Sequence, residues 1–447
     1  MGIAELFLKS SFARGVHPVA HKETAGKPIR RMPFAQRLVL PLSQHIGKPS
    51  RALVRVGEEV VRGQPIAEAD GAMSVPLHAP ADGVIEAIGL HVSARGPWTE
   101  SIVLRVYQGS PQRVAWADPV DPERLDHEQL IAAIQATGMV GLGGAAFPSH
   151  LKLGVPVEHP IHTLVVNGCE CEPYLTCDHR LMLEYPQDLI AGIRLAMRAL
   201  GASRAMIGVE DNKVDALIAI RPHLPADGSI SVHAVETKYP QGAEKMLIKS
   251  LLGQEVPAGG LPMQLGIVVN NVGTLAMLGR LIKSGEGMTE RVVTITGPGI
   301  AKPGDYWVPI GTPLRDLLAW AGARDCTERE VILGGPMMGQ SVASLDVPIS
   351  KGVSGVLVFD RREAHAPAAK NWPCIHCGAC IDACPMGLNP TLLGLLVAKR
   401  EFEQMAGKYH LGDCFECGCC TYACPSQIPL VQQFRAAKAF LRARASA

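Results

Sequence analysis

The stretches CIHCGACIDACP (374–385) and CFECGCCTYACP (414–425) share one spacing, C-x2-C-x2-C-x3-C-P. Three thiolates on one tight loop can cap three corners of a 4Fe-4S cube, while the fourth, one helical turn on, faces a second cube. The spacing therefore predicts cross-ligation. Cys374, Cys377, Cys380 and Cys424 hold one cluster, and Cys414, Cys417, Cys420 and Cys384 hold the other. Two zinc sites would each take two C-x2-C knuckles, which gives no reason for the third spacing or the closing proline. The chemistry expected of such a chain is electron transfer.

Outward from the quartets, IPLVQQFRAAKAFLRARASA (428–447) reads as an amphipathic helix. Leu430, Val431, Phe434, Ala437 and Leu441 fall on one side, and Arg435, Lys438, Arg442 and Arg444 mostly on the other. Its apolar side predicts packing on the cluster domain with a solvated basic face; attachment to an acidic partner or an anionic membrane is the sharper reading. Upstream, residues 292–322 read as strand, turn, strand and a helix starting near Pro313, with Asp305 and Gly311 in turns. This segment resembles a soluble-ligand-binding β-grasp domain and is expected to act as a spacer. Gly334 and Gly335, in ILGGPMMGQ, read as a tight turn.

Before the spacer, a periodic helix LIAAIQATGMV (130–140) runs into Gly141-Leu-Gly143-Gly144-Ala-Ala-Phe147-Pro148, followed by Lys152. Glycines at this density let backbone amides approach a phosphate or a flat ring. The string is not a Rossmann fingerprint, because it follows a helix rather than a strand. Three strand ends then carry polar groups: Asn167 with Glu170, Glu172 and Asp178; Tyr239, Gly242 and Glu244; and Asn270, Asn271 and Thr274. Together they predict one crevice in an α/β sheet. Cys169, Cys171 and Cys177 form C-x-C-x5-C, with His179 as the nearest fourth ligand for a conceivable third metal site. Cys326 is expected to be a packing residue and Cys419 a bystander on the cluster loop.

Residues 30–108 alternate short valine-rich strands with glycine turns, and VGEEVVRGQPIA followed by HAPADGVI resembles a biotinyl/lipoyl-type barrel-sandwich domain. Such domains carry their cofactor on a hairpin lysine, and none lies between Arg51 and Glu100, so a structural adaptor is expected. The net charge of +1 gives no reason to expect nucleic-acid binding. Thirteen cysteines with cluster spacing predict reducing surroundings, hence the cytoplasm, rather than a disulfide framework. The opening MGIAELFLKSSFARGVHP has too short an apolar run for a signal peptide, and Gln264, Asn270, Asn271 and Arg280 break the longest apolar region.

GLGGAAFP with Lys152, NGCECEP, TKYPQGAEK and VVNNVGTL, in this order before two cysteine quartets, resemble the C subunit of the Rnf electron-transport complex. GVHP followed by PLSQHIGKP and the barrel-sandwich segment fits the same family. The middle region is similar to the NADH-oxidising flavoprotein subunit of respiratory complex I. That resemblance implies FMN surrounded by Asn167, Glu170, Tyr239, Gly242, Asn270, Asn271 and Thr274. It also implies NAD(H) faced by Gly141, Gly143, Gly144, Phe147, Lys152, Glu172 and Glu244. Ala146, Leu153 and Ala243 depart from the complex I pattern, which has a glycine, a tryptophan and an acid there.

The expected architecture is a multidomain α/β and α+β chain. It comprises an N-terminal β barrel-sandwich (1–115), an α/β FMN/NADH-binding domain (120–285), a β-grasp domain (290–345) and a helical two-cluster ferredoxin-like domain (365–447). The resemblance implies electron passage between NADH, FMN and two 4Fe-4S clusters, coupled to ion translocation. The implied partners are Rnf-type membrane subunits, with ferredoxin or flavodoxin reached indirectly, and the implied place is the cytoplasmic side of the bacterial inner membrane. A soluble reductase of the cobalamin-reductase type and a non-catalytic electron wire are the alternatives.

Overall fold

The computed structural model describes residues 10–156, 158–323, 329–360 and 371–445. Cys326 and the ends of the first and last predicted units lie outside the described residues.

Two small sheets form the N-terminal unit. One runs in the order Arg37–Pro41, Gly96–Val106, Gly83–Ser93, Glu59–Val60, and the other Arg51–Ala52, Pro65–Glu68, Leu77–His78. Alternate residues point inward, as a half-buried strand requires. Leu38, Leu40, Ile66, Leu77, Ile85, Ile102 and Leu104 are fully buried between the sheets.

The next sheet is wholly parallel, in the order Ile230–Val235, Arg204–Glu210, Thr163–Gly168, Ile267–Asn271. Helices cover it, so its strands read as near-continuous apolar runs such as Leu164-Val165-Val166. The helix predicted at 130–140 begins earlier, at His127, because Asp126 and Gln129 form a capping box there.

A six-stranded mixed sheet follows, with the helix Leu314–Trp320 packed on it through Leu314, Leu317 and Leu318. Asp305 is not in a turn. It lies in the strand Gly304–Pro309, directly across from Thr294, fully buried. Hydroxyls of Thr294 (2.6 Å) and Thr176 (2.7 Å) satisfy its carboxyl, which is what permits burial.

In the last unit the two thiol loops repeat one backbone shape. His376, Gly378 and Gly387 have positive φ in the first, and Glu416, Gly418 and Gln427 have it at matching places in the second. Short helices follow each loop, and Leu393, Met405, Leu411, Phe434 and Ala437 fill the core beside Cys380 and Cys420. The basic side of the terminal helix Leu430–Ala445 is not simply solvated. Arg435 and Lys438 pair with Glu416 on the second thiol loop, at 3.2 Å each, and Arg444 pairs with Glu403.

An extended N-terminal arm stitches these units together. Ser10 bridges the edge strand at Val235, and Val16 pairs with Tyr239. Gly15 donates to Ala383 of the cluster unit (3.2 Å), and Arg30 and Arg31 add a strand beside Tyr306 and Trp307. Among the described residues, no helix is long and apolar enough to cross a membrane.

Candidate functional site

Within the parallel sheet the strand order, in chain sequence, is third, second, first, fourth. The chain therefore winds away in opposite directions from Thr163–Gly168 and Ile267–Asn271, where Asn167 stands opposite Asn271. Such a switch point opens a crevice beyond the carboxyl ends of the strands. A cavity of about 620 Å³ lies there, a size within the roughly 300–1,000 Å³ of small-molecule sites.

Gly141, Gly143, Phe147, Lys152, Asn167, Glu170, Glu172, Tyr239, Gly242, Glu244, Asn270, Asn271 and Thr274 all line this cavity. Gly144 does not; it sits on the exposed side of its loop with φ of 110°. Its neighbour Ala146 holds a left-handed φ of 50°, the conformation that favours the glycine which complex I has at this position. Opposite the strand ends, the wall is made by Gly412, Asp413, Cys414 and Phe415 of the second thiol loop. Gly259 N–H donates to Asp413 at 2.8 Å and closes one side.

Most of the polar side chains around the cavity are spent on holding its loops. Asn167 donates to the carbonyl of Gly242 (2.7 Å) and accepts from Cys169 N–H (3.0 Å). Asn271 caps the helix Val272–Ser284 by accepting from Thr274 N–H, and donates to Asp178 at 2.6 Å. The Thr274 hydroxyl accepts from Leu142 N–H at 2.9 Å, tying the glycine loop to the same helix. Glu170 accepts from Asp178 and His179 N–H, at 2.9 and 3.2 Å, so its charge sits at the start of the helix Cys177–Glu184. Glu172 accepts from Met337 and Met338 N–H, at 3.0 and 2.8 Å, in the turn after the strand Arg329–Leu333.

What remains for a ligand is mainly backbone and one side chain. Asn270 is buried, and its Nδ2 finds no acceptor in the chain, which leaves a donor for a bound group. Gly242 lets its loop pack on the neighbouring one: a Cβ there would come within 2.4 Å of the Cys169 carbonyl. Lys152 and Glu244, both expected to face a nucleotide, form an ion pair of 2.5 Å at the cavity wall.

Burial dominates the local acid chemistry. Withdrawal from water pushes Glu172 up to about 7, against the two N–H donors that favour its anion. Asp178 rises to about 7 through burial and the neighbouring charge of Glu170. Burial likewise raises the Cys171 thiol to about 12.

The cysteines fall into distinct groups. Cys374, Cys377, Cys380 and Cys424 line one cavity of about 120 Å³. Cys384 is an electrostatic neighbour of Cys414 and Cys420, and all three feel Cys417. Burial, then these neighbouring thiols, raises Cys420 to about 12, a barrier that cationic iron would remove. Four sulfurs about 2.3 Å from one zinc would lie roughly 3.8 Å apart. Among the described residues, no three of these sulfurs lie within 4.8 Å of one another, which suits a cluster larger than a single ion.

Cys169, Cys171 and Cys177 do not converge on one point. Cys169 donates to the Gly208 carbonyl, Cys171 accepts from Gly242 N–H, Cys177 donates to Glu170, and His179 is engaged by Asp215 at 2.8 Å. The group that could hold an ion is instead Glu170, Cys177 and Asp178, whose acidic members are already bonded as described.

Sequence reasoning missed Lys22. Its buried ammonium donates to the carbonyls of Glu170 (2.8 Å), Glu172 (2.8 Å) and Leu175 (2.5 Å), fixing the acidic loop from below. No local pattern marks a lysine whose partners are about 150 positions away.

Comparison with known proteins follows the same division. Residues 10–108 match the RnfC barrel sandwich hybrid domain, 134–280 the Nuo51 FMN-binding domain, 292–341 the SLBB domain and 373–428 the 4Fe-4S dicluster domain. The C subunit of the proton-translocating ferredoxin:NAD(+) oxidoreductase complex of Clostridium ljungdahlii is 39% identical over 438 residues, spanning 97% of this chain and 94% of that protein. The chain belongs to the RnfC family. The C subunit of the ion-translocating oxidoreductase complex of Rhodobacter capsulatus is a further relative, 40% identical over 99% of this chain and 86% of its own length. A chain of the NAD+-reducing NiFe-hydrogenase in its air-oxidized state shares the fold, with a TM-score of 0.50 and 23% identity over 70% of this chain and 63% of that one. This RnfC family member is thus an electron-transport protein with an FMN-binding domain and a 4Fe-4S dicluster domain.

Proposed function

We propose that this protein is the NAD(H)-facing member of a membrane-bound Rnf-type complex, passing electrons between NADH, FMN and two 4Fe-4S clusters. The observation that carries this is the shared wall of the 620 Å³ cavity: flavoprotein strand ends on one side and Cys414 with Phe415 on the other. FMN, when bound, supplies the conversion of a two-electron hydride into single electrons that a cluster can accept.

Asn270 would donate to the flavin through its free Nδ2, and the backbone of Gly141 and Gly143 would admit a phosphate or ring edge closely. Phe147 offers a ring face to the nucleotide, and Lys152 exchanges Glu244 for phosphate as the nucleotide enters. The quartets are cross-ligated, with Cys414, Cys417, Cys420 and Cys384 as the inner set beside the cavity. Cys374, Cys377, Cys380 and Cys424 form the outer set, whose Cys377 is exposed. Clusters held by these residues would link the cavity, through the inner set, to the outer set with its exposed Cys377.

We place the unit boundaries at 1–115, 120–285, 290–345 and 365–447, with the third as a β-grasp spacer. The partners are Rnf-type membrane proteins that couple to ferredoxin or flavodoxin, and the chain sits peripherally on the cytoplasmic face of the inner membrane. Anaerobic purification with flavin and iron counts, followed by titration with NADH and separately NADPH, tests the reading. One flavin and two clusters per chain, bleached by NADH, is the expected result. Clusters that neither nucleotide touches would leave only an electron wire.

A further inference from the structure

Each thiol loop receives a hydroxyl from a residue outside it, and on the second loop Cys420 also has the hydroxyl of its neighbour Thr421. The Tyr239 hydroxyl, in a side chain 1% exposed, donates to the carbonyl of Cys417 at 2.7 Å. On the other loop, Thr391 Oγ1 lies 3.1 Å from Cys380 Sγ, and a metal-bound thiolate has no proton to give, so the threonine is the donor. The two contacts fall in different sets, inner and outer.

The inner contact is rigidly built. Tyr239 is wedged with Val16, Ala383 and Cys419 in an apolar plug beside Cys171, Met337 and Cys417. Its backbone exchanges hydrogen bonds with Val16, at 2.8 and 2.9 Å, and its ring also lines the cavity. The hydroxyl is thus held beside the Cys417 carbonyl. A donor on a ligand sulfur, as Thr391 is, stabilises the more negative, reduced cluster and raises its potential; the Tyr239 hydroxyl, on the Cys417 carbonyl, acts in the same sense through the loop dipole.

We infer that Tyr239 and Thr391 are positioning residues that shift the potentials of the inner and outer clusters separately, each through its donated hydroxyl. The inference rests on the cluster assignment proposed above. Because the two donors sit on different sets, the potential of each can be changed without the other.

The test is an EPR-monitored redox titration of Tyr239→Phe and Thr391→Val in the full chain, after flavin and iron have been counted. The two signals are assigned by their loss in Cys417→Ser and Cys377→Ser. Tyr239→Phe should lower only the inner midpoint and Thr391→Val only the outer, by up to a tenfold shift in electron partition, about 59 mV for a one-electron couple. Val16→Ala, which loosens the same plug without removing the hydroxyl, should move neither. Unmoved midpoints in fully loaded Tyr239→Phe and Thr391→Val, or an equal shift in Val16→Ala, would overturn the inference. A parent protein without flavin or clusters would instead overturn the proposed function. Should Tyr239→Phe lose its cluster, Thr391→Val still decides whether one hydroxyl tunes one cluster.

Discussion

Glu172 keeps a carboxyl that burial lifts to about 7 from an ordinary 4.5, while it anchors Met337 and Met338. The folded chain therefore holds this proton more tightly than the unfolded chain. Between pH 4.5 and about 7 the fold loses stability from this group as pH rises, and above that range the penalty is complete. Glu172→Gln removes the titration, so the variant should gain on the parent at pH 8 relative to pH 5. Paired thermal melts at the two values check this, and a constant difference would contradict it. Gly242 is a steric site in the same cavity wall. With the Cys169 carbonyl only 2.4 Å from where a Cβ would stand, Gly242→Ala must shift one of the two loops. It should cost about 1–3 kcal/mol and, because Asn167 is bonded to the same residue, reduce flavin content on purification.

At the scale of elements, the acidic loop between Gly168 and the helix Cys177–Glu184 is held mainly by the N-terminal arm. Lys22 satisfies three of its carbonyls, and Thr24 meets Thr176, which in turn donates to Asp305. Lys22→Met should cost about 2–4 kcal/mol, from three lost donors at about 1 kcal/mol each. It should also release flavin while the parallel sheet stays folded, which far-UV dichroism and flavin content report together. What could be read in the sequence follows from this contrast. The thiol loops, the strand ends and the glycine string are local patterns, so their residues arrive at shared cavities. The arm was invisible because Lys22 and Val16 act on partners about 150 and 220 positions away. The roles of Glu170 and Glu172 were half legible: as cavity residues they stand where strand ends predict, but their carboxylates face backbone N–H groups. Asp305 was misread as a turn residue because its burial depends on two threonines, one of them in another sheet's loop.

Across the whole molecule, the proposed function puts the cavity and the two thiol sets in a series. Tyr239 and the Cys414–Phe415 wall join the first step, and the exposed Cys377 marks the last. The barrel-sandwich unit carries no lysine between Arg51 and Glu100 and acts as a buttress. Its Ile46 N–H bonds the Ala146 carbonyl of the glycine loop at 3.1 Å. The basic residues of the terminal helix that pair inside the cluster unit brace the inner thiol loop through Glu416, so Glu416→Gln should loosen that loop and speed loss of the inner cluster in air, followed by iron release. Anaerobic NADH reduction of Cys417→Ser, followed by EPR of the outer cluster, tests the order of the series. The account predicts a flavin that bleaches normally and an outer cluster that stays oxidised, whereas Cys377→Ser still reduces its inner cluster. An outer cluster reduced at the parent's rate in Cys417→Ser would contradict it.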